Sequence, residues 1–266
     1  MTSVGADGWS SGEAYEGYIG RWSRLVAPLF LDWLDVPPGA DWLDMGCGTG
    51  ILTRAILGHC DPRSVVGVDP SAPFLEHAGT ATADPRARFE TGSADATGRP
   101  DDSADAVVAG LVLNFLPDLD GALAEAQRVV RPGGIVAGYV WDYASGMQLL
   151  RAFFDAAIAL DPAMAEHDEG VRFPITHEGR LAVAFAAAGL DDVRQRPIDI
   201  PTEFRDFDDL WNPFLRGTGP APAYVVGLDE PDRTALRERL RASLPIEPDG
   251  SIHLTARAWA VRGRRS

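Results

Sequence analysis

The sequence contains no lysine; all 24 of its basic residues are arginine. That absence excludes Schiff-base and lysine-nucleophile chemistry. With abundant alanine, glycine and proline, it is the composition a GC-rich bacterial genome produces. Cysteine is scarce too. Cys47 and Cys60 are too few and wrongly spaced for a disulfide framework or a zinc site, and no metal is expected. No apolar run is long enough to cross a bilayer. Met1 to Ser11 is polar and lacks the charged-then-apolar pattern of a secretory signal. The expectation is a cytoplasmic protein with no membrane partner. Positive charge is also short: 24 basic against 39 acidic residues leave a net charge of −15. Such a surface repels a phosphate backbone, so no nucleic-acid partner is expected. The one basic cluster, Arg262, Arg264 and Arg265, reads as a solvated C-terminus.

What is present is an ordinary globular composition, 266 residues with 45% hydrophobic and 24% charged, enough for one large α/β domain with or without a cap. Glu13 to Leu34 has helical spacing of its apolar residues, and Pro37, Pro38 and Gly39 stop it. Strands are expected at Asp41–Met45, Ser64–Asp69, Arg88–Thr91, Asp105–Leu113 and Ile135–Trp141. Helices are expected from about Gly50 to Gly58, from a Ser71 cap to about Ala81, and over Leu119–Val130. The sharp turn Arg131-Pro132-Gly133-Gly134 precedes the fifth strand. The near-continuous apolar strands, alternating with helices, indicate βαβ units and a parallel sheet. The remainder is less regular. Helices are expected at Gly146–Leu160, His177–Ala188, Phe204–Arg216 and Glu230–Ser243. Asp161–Pro174 reads as a loop, and strands are expected at Asp192–Pro201 and Ser251–Arg262. The fold class is a doubly wound, Rossmann-like sheet of about seven strands, mostly parallel with an antiparallel last strand, plus a helical cap.

The stretch Trp42–Thr53 organises the chain. Gly46, Gly48 and Gly50 follow the first strand at alternate positions. Lacking Cβ atoms, they let a ligand lie against the backbone, and the following helix points its free N–H groups there. A dinucleotide fingerprint needs a third glycine where Ile51 stands. Asp44 sits badly beside a pyrophosphate but suits a ligand with an ammonium group. Asp69 lies 19 positions after Gly50, close to the separation at which a carboxylate meets a ribose diol. Asp95, in Gly92-Ser93-Ala94-Asp95-Ala96, can accept from an exocyclic amine such as that of adenine. Leu111–Asn114 closes the fourth strand. All four pieces fall at the carboxyl ends of strands, where open α/β sheets bind ligands.

These pieces resemble the class I S-adenosylmethionine-dependent methyltransferases. Leu43-Asp44-Met45-Gly46-Cys47-Gly48-Thr49-Gly50 matches that family's first motif very closely. Val66-Gly67-Val68-Asp69-Pro70-Ser71 looks like the second, Ser93-Ala94-Asp95 the third, and Arg131-Pro132-Gly133-Gly134 the turn before the fifth strand. The resemblance covers Trp42–Trp141. It is closest to the type 11 subgroup, which includes quinone-biosynthesis and natural-product methyltransferases. Tyr18-Ile19-Gly20-Arg21-Trp22-Ser23-Arg24 also resembles a block found in some of them. The resemblance implies S-adenosyl-L-methionine as cofactor and S-adenosyl-L-homocysteine as product. Gly46, Gly48 and the Asp44 region would hold the methionine part, and Asp69 the ribose. Phe74 would pack on the nucleoside, and Asp95 with Ala94 and Ala96 would read the adenine. Leu111 and Asn114 would line the methyl-donor pocket, with Tyr18 or Arg21 closing over it and Arg21 pairing with the donor carboxylate. Cys47, Gly50 and Pro70 complete the cofactor-binding set. Read from spacing alone, Phe74, Tyr18 and Trp22 fit a core equally well, and Arg21 fits a surface charge.

The corresponding domain expectation is a helical segment over residues 1–40 closing on the cofactor, a binding core over 41–160, and the rest of the sheet over 161–266 with a cap insertion at 204–244. Methyl transfer from a sulfonium depends mostly on alignment, and an oxygen acceptor also needs a base. His177 and Asp142 are the candidates put forward, from a set that includes His167, His253 and Tyr143. Leu113-Asn114-Phe115-Leu116-Pro117 lacks the Asn/Asp-Pro-Pro-aromatic loop of enzymes that methylate exocyclic or amide nitrogens, and no acidic cluster there suits a magnesium-dependent catechol site. The expected acceptor is therefore a small molecule, methylated on O, C or N, beneath an aromatic cap (Phe153, Phe154, Phe173, Trp211, Phe214). The expected assembly is a monomer or homodimer. The alternatives are a donor-binding protein that catalyses a cyclisation or rearrangement, and a nicotinamide-dependent oxidoreductase, which Ile51 and Asp44 disfavour.

Overall fold

The computed structural model describes residues 20–217 and 219–266; Tyr18 and the first part of the expected N-terminal helix lie outside them. Helix α1 (Arg21–Leu34) buries Val26, Phe30 and Leu34 on one face, at the spacing a helix needs to bury a single stripe. Its last carbonyls, those of Trp33 and Leu34, each accept from Arg262 Nη1 at 2.9 Å, a cation where the helix dipole favours one.

The chain then alternates β1 (Asp41–Met45), α2 (Ile51–His59), β2 (Ser64–Asp69), α3 (Ala72–Ala81), β3 (Ala87–Thr91), β4 (Ala104–Gly110), α4 (Leu119–Val129) and β5 (Val130–Trp141). After these come α5 (Gln148–Leu160), α6 (Glu169–Arg172), α7 (Arg180–Ala187), β6 (Asp191–Phe204), α8 (Phe207–Trp211), α9 (Pro220–Gly227), α10 (Glu230–Ser243) and β7 (Ile252–Arg264). The described strands form one seven-stranded sheet in the order β3-β2-β1-β4-β5-β7-β6. β3 to β5 pair in parallel, and β7 runs antiparallel to β5, Ile135 facing Arg264 and Trp141 facing Ala258. The strand order reverses between β1 and β4. That is the point at which a doubly wound sheet opens a crevice at its carboxyl ends.

Two compact units are formed. One comprises Ser23–Trp141, Ile175–Ile198 and Ala258–Ser266. Its core joins Leu43, Val107, Val136 and Val261 of the sheet to Leu123 and Ala126 of α4 and to Leu181 and Phe185 of α7. The other comprises Asp142–Pro174 and Asp199–Arg257, with residues 20–22. There Phe153 stacks on Phe214 with ring centroids 4.7 Å apart and planes 7° from parallel, and Phe153, Phe154 and Phe214 are fully buried. These rings make that unit's own core. The units are assembled from separated segments rather than from three consecutive stretches, because α7 and the end of β7 return to the sheet. α5 falls in the second unit and α1 from Ser23 in the first.

Local differences from expectation have local causes. β4 ends at Gly110, not Leu113, because Leu111 turns into the left-handed region. Arg131–Gly134 lie inside β5 as an irregularity: Ala104 faces Val130, and Ala106 already faces Ile135. Ser71 precedes α3 but makes no side-chain cap; its N–H is taken by Asp69 instead. Asp161–Pro174 is not one open loop, since Asp161 and Asp168 each cap a short turn and Arg151 pairs with Asp168 through both carboxylate oxygens. A further helix, α9, stands between the two expected at Phe204–Arg216 and Glu230–Ser243; Pro220 and Pro222 lie in its first turn, where a helix has no N–H bond to lose.

Candidate functional site

β1 carries Asp44 into the middle of the sheet, opposite Gly67 of β2 and Val108 of β4. The side chain is buried. Its Oδ2 accepts the Thr53 hydroxyl at 2.6 Å, while Oδ1 is buried with no hydrogen-bond partner. Burial pushes the carboxyl up to about 7; hydrogen bonds from Thr53 oppose this and the charge of Asp69 adds to it. A buried carboxylate with a vacant oxygen is an arrangement folded proteins rarely leave incomplete.

The glycine turn is pinned to β2. Gly46 N–H and Cys47 N–H both donate to Val68 O, at 2.8 and 3.1 Å. Gly46 and Gly48 have φ of 71° and 51°, a region in which side chains are strained. A Cβ on Gly46 would stand 2.7 Å from Val112 Cγ2, whereas one on Gly48 would meet nothing within 4 Å. Gly46 is therefore required for packing, and Gly48 fronts open space. Gly50 begins α2. The Cys47 thiol is buried, and its pKa is pushed far up by burial, with Asp44 and Asp69 adding to the rise, so it is an unreactive packing group.

Asp69 closes β2. Its Oδ2 accepts Gly48 N–H at 2.9 Å and its Oδ1 accepts Ser71 N–H at 2.8 Å. The carboxylate thus spans the glycine turn and the start of α3. Burial raises its pKa, opposed by those two N–H groups. Each oxygen retains acceptor capacity for a diol. Pro70 is exposed, and Phe74 is half-buried on α3.

After β3, Gly92 N–H donates to Asp69 O at 3.3 Å, and Ser93 and Ala96 exchange N–H···O bonds at 3.3 and 3.2 Å. Ala94 is buried inside this turn, with Asp95 and Ala96 exposed. After β4, Leu111 has φ 59°. The other described non-glycine residues with positive φ are Asp35, Asp61, Asp102 and Asp192, a residue type that tolerates the left-handed region as leucine does not. The reversal at Leu111 seats Val112 against Gly46 and leads into the short turn Leu113–Phe115. There Asn114 is buried, its Nδ2 without a partner.

The structure thus gathers Asp44, Gly46, Cys47, Gly48, Gly50 and Asp69 at the carboxyl ends of β1 and β2, with Leu111 and Asn114 at that of β4 and Asp95 after β3. Arg21 belongs to the other unit. Its guanidinium lies 4.6 Å from the Trp22 ring centroid and 4.9 Å from that of Phe204, and Nη1 is 3.9 Å from Asp209. Asp142 is buried, and its two oxygens accept Ser145 N–H and Ser145 Oγ–H, each at 2.9 Å, so it holds a turn. His177 is half-buried but does not begin a helix, because α7 starts at Arg180 with Gly179 as its cap. His253 is exposed, its Nε2 3.0 Å from Ser251 Oγ. Thr53 and Val112 were not anticipated. Thr53 was the more legible: a hydroxyl in the first turn of the helix after the glycines can reach back to the strand that enters them.

Residues 43–138 match the family described as methyltransferase domain. Nocamycin O-methyltransferase of Saccharothrix syringae is 29% identical over 262 residues, covering 91% of each chain. Several other curated relatives match over only 33% to 38% of their own length. Among solved structures, a candidate methyltransferase from an antibiotic biosynthesis pathway of Anabaena variabilis has a TM-score of 0.63 at 19% identity, over 89% of this chain and 96% of its own. Phosphoethanolamine N-methyltransferase 2 of Haemonchus contortus, in complex with phosphomonomethylethanolamine and S-adenosylhomocysteine, has a TM-score of 0.59 at 16% identity, over 96% of this chain and 57% of its own. The sheet order, the glycine turn and the family match agree on a methyltransferase domain over residues 43–138.

Proposed function

We propose that the protein binds S-adenosyl-L-methionine and methylates an oxygen, carbon or nitrogen atom of a small molecule, with natural products and quinones as the acceptor classes. The observation that carries this reading is the vacant Oδ1 of Asp44 below a glycine turn that fronts open space at Gly48. The residues fit such a ligand. Asp44 would accept from the ammonium of the methionine part, the spare acceptor sites of Asp69 from the ribose hydroxyls, and Asp95 from the exocyclic amine of adenine. When bound, the cofactor supplies a methyl group on a positively charged sulfur. The chain's own part is to hold that end of the molecule in line with an acceptor. Similarity to a nocamycin O-methyltransferase along 91% of both chains supports a small natural product as acceptor. For an oxygen acceptor, His177 is the base we propose, and His177→Ala is expected to lower kcat while the Kd for the donor stays unchanged.

Calorimetry with S-adenosylhomocysteine and with NADH tests the binding half. Heat from NADH and none from S-adenosylhomocysteine would overturn it. Methyl-labelled donor incubated with small-molecule acceptors tests the transfer half. Label that stays on the donor throughout, while the donor still binds, would favour the cyclisation reading.

A further inference from the structure

The turn that bears Asp95 is held from two sides. On one side Gly92 N–H is tied to Asp69 O, and the Ser93–Ala96 pair closes the turn on itself. On the other side Thr97, buried directly after the turn, reaches across to Glu125 on α4. Glu125 Oε1 accepts Thr97 N–H at 2.9 Å and the Thr97 hydroxyl at 2.5 Å. Arg128, one turn further along α4, donates to Glu125 Oε2 from Nε at 2.7 Å and to Oε1 from Nη2 at 2.8 Å. The same Nη2 donates to Arg99 O at 2.7 Å, and Nη1 pairs with Asp101. Glu125 is 9% exposed, unusual for a carboxylate in a surface helix. Hydrogen bonds from Arg128, assisted by Thr97 and opposed by burial, hold its carboxyl down at about 2, so the clamp carries full charge at any working pH.

The i,i+3 pair with Arg128 supports α4 only weakly, and it does not require burial; glutamate in a surface helix normally faces water. Nor does α4 need it, since Asp118 caps that helix at Gly121 N–H, 2.9 Å away, and Ala122, Leu123, Ala126 and Val129 bury its apolar face. What Glu125 does fix is the exit leg of the Asp95 turn, by backbone and side chain together.

From this geometry we infer that Glu125, through Thr97, is the positioning residue for base recognition: it sets the Asp95 turn at the height needed to read the amine edge of the donor's adenine. The inference rests on the proposed donor reading. It predicts a loss of selectivity, which a residue serving stability alone would not produce.

The test measures the Kd of S-adenosylhomocysteine and of S-inosylhomocysteine, in which a carbonyl oxygen replaces the amine, for the full chain by calorimetry below Tm. Wild type is expected to prefer the adenosyl compound by about tenfold, the worth of one well-made charged hydrogen bond, and Asp95→Ala to abolish that preference. Glu125→Ala is expected to reduce the preference to about threefold or less. Thr97→Ala removes only the hydroxyl and keeps the N–H bond, so it remains measurable if Glu125→Ala fails to fold, and it is expected to reduce the preference in part. Thr97→Ser, which keeps the hydroxyl, restores it. An unchanged preference in Thr97→Ala and in any folded Glu125→Ala overturns the inference and leaves the donor reading intact. If wild type binds neither compound, the donor reading fails, and the inference with it.

Discussion

Replacing Asp44 by asparagine should make the ligand-free protein more stable at high pH and a poorer binder. Raising a carboxyl from 3.8 to about 7 corresponds to roughly 4 kcal/mol against its ionised form. Between those two values the folded protein holds a proton that the unfolded chain has released. Stability therefore falls as pH rises from about 4 to about 7, and the full cost stands above that window. Asparagine keeps an acceptor for the Thr53 hydroxyl and places an NH2 where Oδ1 had no partner. An unpaired buried donor costs about 1–3 kcal/mol, less than the ionised carboxylate. At about pH 8 Asp44→Asn should thus exceed wild type by roughly 1–3 kcal/mol. Near pH 4, where the wild-type group is a neutral acid, the advantage should vanish or reverse. Urea unfolding of both proteins across that range isolates the effect, since groups titrating alike in the two cancel. A stability difference that stays flat with pH would refute the assignment of a buried, partner-deficient carboxylate. In the same preparations the affinity for S-adenosylhomocysteine should fall by about tenfold or more.

Gly46→Ala should lose roughly 1–2 kcal/mol to left-handed strain and more to the Val112 contact at 2.7 Å; adding Val112→Ala should recover only the second part in a denaturation series. Gly48→Ala should cost only the strain, yet abolish detectable heat of S-adenosylhomocysteine binding, and wild-type affinity would show that the space beside Gly48 does not receive the ligand. Asp69→Ala should weaken that binding by roughly 1–3 kcal/mol, and unchanged calorimetry would remove Asp69 from the site. Phe153→Ala should destabilise by about 3–5 kcal/mol, because the ring is fully buried and stacked on Phe214; a loss below about 1 kcal/mol would contradict a packed core there.

The sheet and the glycine turn were readable because their signals are local. Apolar strands of five to seven residues, three alternate glycines and an aspartate at the end of β2 each carry meaning within a few positions. The seven strands and the antiparallel last one follow from that alternation. What was not readable depends on partners distant in sequence. Asp142 follows a strand at its carboxyl end, but Ser145, three residues on, donates to both of its oxygens and makes it the anchor of a turn. The apolar helical pattern after His177 places a helix start there, but Gly179, with φ 80°, sets the cap two residues later. Glu125 is one of two acidic residues in an amphipathic helix until Thr97, 28 positions away, is found bonded to it. The two-unit division was hidden for the same reason, since it depends on α7 and the end of β7 rejoining the first unit.

The two ends of the parallel strands differ in how their charged groups are partnered. At the amino ends, Asp41 and Asp105 are paired with both Arg63 and Arg131, and Asp41 N–H is taken by Asp105 Oδ2 at 2.8 Å. Every charge in that network has an opposite neighbour, and the whole is half open to water. At the carboxyl ends of β1 and β4 the chain keeps Asp44 Oδ1 and Asn114 Nδ2 buried without partners and a leucine in the left-handed region. Trp42 and Trp141 also bury indole N–H groups without acceptors, but a neutral indole loses far less by this than a carboxylate. The costs at the carboxyl ends are not forced by the fold, because the same strands pair their charged groups at the other end. Groups kept incomplete on one side of a sheet, each within reach of the same glycine turn or the loop that packs on it, are consistent with completion by a ligand. Strain at Leu111 belongs to the same set, since relaxing it would lift Val112 off Gly46 and release Asn114. The preorganisation of this edge is thus bought with stability that the rest of the sheet supplies.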